Sequence, residues 1–326
     1  MSDQRLPSDI PAIARACACM GVAITPTQIA STMGIPFILL GSEEWLDRAT
    51  LQLYPRMRTT IPERLIGFRQ QCYDRIAAHG VHITTRWCAD VTAVEVILDQ
   101  LDQTTSVWVC FTAIEGHYPV FVRRSENWTS VDDETSDWRG SVSTMHAPNG
   151  FLWVGLSLCA PTPVLSVAEQ AAWAASLIAS DEVFRFPTPT HPVRLWQAWH
   201  LGAASLEVIA LAAEEAAPLS IVSDTVAFVF AQYAERARLA QQVVAAWSAD
   251  ARLPEHSRSA LHSLEAAYHD VIFLFEIVTT QYPVAGQIRA LSRAEGALIA
   301  EVCRDTRLVY REISALFSVL GGNDIK

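Results

Sequence analysis

Gly116-His117-Tyr118-Pro119-Val120-Phe121-Val122 is the stretch on which the reading of this chain turns. It continues through the turn Arg123–Asn127 and the strand-like Trp128–Val131 to Asp132-Asp133. A histidine therefore heads an alternating apolar run, and two carboxylates follow the next strand. A histidine acts as a base only when its tautomer is fixed, and a carboxylate on a neighbouring strand is a common way to fix it. Such a pair is half of a catalytic apparatus, and the rest of the chain has to supply a nucleophile.

The 326 residues suffice for two domains with separate cores, and a hydrophobic fraction of 51% makes both cores affordable. Mean hydropathy is +0.20, yet apolar runs such as Ser106–Ala113 and Val226–Phe230 stop well short of the ~20 residues of a spanning helix. The opening Met1-Ser-Asp-Gln-Arg-Leu-Pro lacks a basic segment followed by an apolar one, so a cytoplasmic protein without membrane association is expected. A net charge of −11 without any basic run argues against nucleic acid as a partner. Seven scattered cysteines form no C-x2-C pair, and no metal or cofactor is expected.

Working outward from the histidine strand, Ser106–Thr112 reads as a buried strand before it and Phe151–Leu158 as the last strand after it. Upstream, Pro62–Ala78 reads as an amphipathic helix stopped near Gly80, Val81–Trp87 as a strand and Val91–Leu101 as a helix. Ser8-Asp9-Ile10-Pro11 opens a helix that Gly21 stops. Thr25–Met33 is a second helix capped by Thr25 and ended by Gly34, and Gly34–Gly41 looks extended and buried. This is an α+β pattern over residues 1–162. Beyond Ala160-Pro-Thr-Pro163 the period is helical throughout, in Ser166–Ser180, Val193–Ala216, Ser220–Ser248, Pro254–Gln281 and Pro283–Leu320. An all-α domain over 163–326 is therefore expected.

The opening helix to Gly21, Ile24-Thr25-Pro26, Gly34-Ile35-Pro36-Phe37 and Gly116-His117 with Asp133 together resemble the papain-like domain of bacteriocin-leader peptidases and of the butirosin biosynthesis protein H family. Tyr233-Ala-Glu-Arg-Ala-Arg, Leu264-Glu-Ala-Ala-Tyr-His and the final helix look like the helical C-terminal domain of butirosin-type members. The resemblance implies a papain-like α+β domain followed by a helical one. It implies acyl transfer or amide-bond chemistry on a thioester or peptide-like substrate in bacterial specialised-metabolite biosynthesis. His117 would be the base and Asp133 the residue that orients it. The substrate would be a small molecule or an acyl group held by a carrier protein. The family's helix starts with a catalytic cysteine, whereas counting back thirteen residues from Gly21 lands on Ser8, with Asp9 next to it.

Three readings of that end stay open. Ser8 replaces the thiol as nucleophile; or the nucleophile is lost and the fold serves as an inactive accessory or binding protein; or Ser8 or Asp9 merely caps the helix. Cys88, at a strand end after Trp87, is the fallback nucleophile, while Cys110 sits in an apolar strand and is expected to be inert. Trp196, Trp199 and His200 are candidates for lining a substrate cleft together with Asp9, against a core-packing alternative. Arg236 and Arg238 could reach a carrier's phosphopantetheine phosphate or simply pair on a helix surface. His79 with His82, and His262 with Glu265 and His269, have partial metal-ligand spacing but lack the further ligands a site needs.

Overall fold

The computed structural model describes residues 9–41, 63–88, 92–101, 104–111, 119–124, 127–131, 146–147, 151–187, 196–215, 223–250, 253–282 and 290–322. In chain order its elements are α1 (Asp9–Cys19), α2 (Pro26–Met33), β1 (Leu40–Gly41), α3 (Glu63–Asp74), β2 (Val81–Cys88), β3 (Thr92–Ala93), α4 (Val94–Gln100), β4 (Val107–Phe111), β5 (Val120–Arg124) and β6 (Asn127–Ser130). They continue with β7 (His146–Ala147), β8 (Phe151–Leu158), α5 (Val167–Ala179), β9 (Val183–Pro187), β10 (Trp196–Leu201), α6 (Ala204–Glu215), α7 (Ser223–Ser248), α8 (Glu255–Gln281) and α9 (Arg293–Gly322). Short 3₁₀ turns at Ile35–Phe37 and Arg75–His79 complete the set. Contacts divide the chain into two units, Met1–Met33 with Pro55–Val164 and Gly34–Tyr54 with Leu165–Lys326. Among the described residues no helix is long and apolar enough to cross a membrane.

The first unit is built on a five-stranded antiparallel sheet of order β2-β8-β4-β5-β6. Strand residues alternate between its faces. Trp108, Cys110, Phe121, Trp128 and Trp153 gather with Val94, Ile97, Leu98 and Leu101 of and beside α4 in one buried cluster. The alternate residues Val107, Val109, Val120, Val154 and Leu156 are equally buried, and α1, with Ile10, Ala12, Ile13, Ala16 and Cys17 buried, packs against β4 and β5. Helices and an antiparallel sheet thus make this unit, as the α+β pattern anticipates. Thr25 caps α2 with its hydroxyl accepting from the Gln28 N–H at 3.2 Å, while the Gln28 side chain returns a bond to the Thr25 N–H at 2.9 Å.

The second unit is mainly helical but not all-α. The antiparallel sheet β1-β10-β9 lies within it, and Val193–Ala216, read as one helix, is instead β10 followed by α6. Val183-Phe-Arg-Phe has period two, with Phe184 buried and Arg185 exposed, and Phe151–Leu158 is therefore not the last strand. In β10, Trp199 and Leu201 are the buried alternates, and a short aromatic run of this kind cannot be told from a helix by periodicity alone. Gly202, at φ 79°, then turns the chain into α6. Its amide donates to the Leu39 carbonyl at 2.8 Å. The last helix is shorter than Pro283–Leu320 suggested: α9 starts at Arg293, where Ser292 and Glu295 cap each other's backbone N–H groups.

The segment Gly34–Gly41, which the sequence division puts with residues 1–162, packs in this second unit for a physical reason. Phe37 is 1% exposed and its ring centroid lies 5.3 Å from Phe317, 6.0 Å from Trp247 and 6.5 Å from Tyr268. Leu40 and Gly41 pair with Leu201 and His200 of β10. An apolar strap from the N-terminal half fills the aromatic centre of the helices.

Candidate functional site

α1 and the hairpin β5–β6 are described elements that flank Ser8, His117 and Asp133 in the sequence. The start of β5 is fixed on one side by the Cys110 N–H, which donates to the Pro119 carbonyl at 3.0 Å. It is fixed on the other by the Val131 N–H, which donates to the Val120 carbonyl at 2.9 Å. Val120 and Val131 therefore lie across one hydrogen bond. His117 precedes Val120 by three residues and Asp133 follows Val131 by two. Ser8, His117 and Asp133 themselves lie outside the described residues, as does the Asp9 side chain, although Asp9 is the first residue of α1.

Cysteine chemistry is restricted where the structure describes it. Cys17 is buried in α1, and burial, with Cys19 nearby adding to it, pushes its thiol up to about 11. A neutral thiol two turns into a helix gains nothing from the helix N-terminus and is a poor nucleophile. Cys110 is 3% exposed among the aromatic cluster of the sheet. Cys88 ends β2 opposite Phe151, and its side chain lies outside the described residues.

The other predicted residues fall in the second unit on β10. Trp196 pairs with Pro187, Trp199 with Phe184, and His200 with both Val183 and Gly41. Trp199 is buried at 5% exposure, so its ring packs in the interior, and His200 is half-buried. On α7, Arg236 donates to the Ile38 carbonyl at 3.0 Å and Arg238 to Glu276 at 2.6 Å. Both arginines hold the unit together.

One polar grouping in the first unit was not visible in the sequence. His79 Nε2 lies 3.0 Å from Thr32 Oγ1, and Arg75 Nε donates to the Thr32 carbonyl at 3.0 Å. Burial lowers the His79 pKa from its ordinary value. His82, two residues past Gly80, is exposed on β2. On α8, His262 approaches Glu265 at 3.9 Å, while Glu265 accepts from the Ser248 hydroxyl at 2.6 Å. Among the described residues no three His, Cys, Asp or Glu side chains are grouped to hold a metal ion. The signal for the Thr32–His79 pair was only a histidine at a helix end before Gly80, and its partner lies 47 residues away. Compared with models of protein families and with curated proteins, the chain matches none.

Proposed function

We propose that the chain carries out acyl transfer or amide-bond chemistry on a thioester or peptide-like substrate, using Ser8 as nucleophile, His117 as base and Asp133 as the residue that orients it. The observation that carries this reading is the hydrogen bond between Val131 and Val120. At ~3.3–3.6 Å per residue, the short segments from those anchors to Asp133 and His117 span no more than about 7 and 11 Å. Those lengths allow a histidine and a carboxylate to meet at the head of the hairpin, as the reading requires. The packing of α1 on β4 and β5 supports a papain-like arrangement, in which the start of a helix meets a strand bearing the base.

The chemistry follows from those roles. Ser8 Oγ attacks the carbonyl carbon of the acyl donor while His117 takes its proton, and the Asp133 carboxylate stabilises the imidazolium. The tetrahedral oxyanion is met by backbone N–H groups of the first turn of α1, which have no partner inside the helix. The thiolate of the donor leaves with the proton from His117, and an amine or water then attacks the acyl-serine. A thioester on a carrier protein from a bacterial specialised-metabolite pathway is the donor that fits the resemblance.

A second reading is favoured by one specific fact: the residue at the start of α1 is not a cysteine. An inactive papain-like protein that binds a peptide or small molecule would need no nucleophile there. Incubation with an acyl-thioester followed by intact mass measurement decides between them. The enzyme reading expects an acyl adduct on the wild type that Ser8→Ala and His117→Ala lose. An adduct that persists in Ser8→Ala but vanishes in Cys88→Ala moves the nucleophile to Cys88. No adduct on any form leaves the binding-protein reading.

A further inference from the structure

We draw no further inference here: the strongest candidate, the open groove between α5 and α9 lined by Ala172, Ala175, Ser176, Ala179, Ser318 and Gly321, is a stripe of small residues, and nothing in the structure shows what covers it.

Discussion

The two units solve the same problem, burying large aromatic residues, in opposite ways. In the first, Trp108 and Trp153 lie within the sheet's aromatic cluster with their indole N–H groups unpartnered among the described residues. The fit is made by subtraction: Gly155 stands directly opposite Trp108 and leaves the ring the room it needs. In the second, Phe37, Trp247, Tyr268 and Phe317 are gathered by a segment distant in sequence, with phenols and an arginine beside them. A cation stands at that cluster too: Arg123 lies over the Trp128 ring, 6.0 Å from its centroid. The Tyr268 and Tyr310 hydroxyls of the second are likewise unpartnered among the described residues. Unpartnered buried donors are thus common to both cores, and what separates the two is how room is made for the rings.

The comparison breaks most directly at the strap. Phe37→Ala removes a fully buried ring from the centre of three others and is expected to destabilise the second unit by about 3–5 kcal/mol. Hydrogen exchange read unit by unit checks it: protection should fall in α7, α8 and α9 and hold in the strands of the five-stranded sheet. Equal loss in both units would show that the strap is not particular to the helical core. Gly202→Ala is next. At φ 79° a Cβ is strained, and it would lie 2.7 Å from the Ile178 carbonyl oxygen and closer still to that of Ser180. A cost of about 2–4 kcal/mol is expected, from backbone strain with overpacking. It should appear as lost protection of the β1-β10-β9 sheet.

The first unit has its own test in Gly155→Ala. The added Cβ would stand 2.7 Å from the Trp108 ring, in a sheet whose two faces are both packed, and about 1–3 kcal/mol of overpacking is expected. Denaturant unfolding followed by tryptophan fluorescence measures it. Trp108→Phe in the same background should recover part of the loss, because the smaller ring vacates the contact. Failure to recover would mean the strand register, not the ring, limits that position.

What was legible in the sequence was what is local. Ser166 and Glu169 form a capping box that starts α5, Thr25 caps α2, and Gly34 and Gly80 take positive φ where helical stretches end, each as a start or stop signal that needs no knowledge of the fold. The strand Phe151–Leu158 and its partner β4 were legible because burial on both faces makes strands nearly continuous in apolar residues. Strands β9 and β10 were not, since they are short and set among helices, and the pairing of β10 with β1 spans about 160 residues of chain. The same applies to side chains. His117 and Asp133 were readable as a motif, whereas Tyr268 and Tyr310, whose rings meet at 6.3 Å, come from separate helices with no shared spacing. Only packing brings them together.

The smallest effect concerns the first unit's own buried polar contact. His79 lies 3.0 Å from Thr32, and burial depresses its pKa below the ordinary 6.5. A histidine whose folded pKa lies below its unfolded one binds more protons when unfolded, so the fold loses stability as pH falls. The contribution of the neutral ring is complete above about pH 6.5 and fades as pH drops through that value toward the folded pKa. Arg75, bound to the Thr32 carbonyl, adds a second positive charge to the neighbourhood once the ring is protonated. Tm measured from about pH 8 to about pH 5 should fall more steeply in wild type than in His79→Gln, which keeps a polar partner for Thr32 but cannot be charged. The two curves should run parallel above pH 6.5 and approach one another below it. His262→Gln, on α8 of the second unit, serves as the comparison. If it removes the step and His79→Gln does not, the acid-sensitive contact belongs to the helices, and the division of roles between the two cores has to be redrawn.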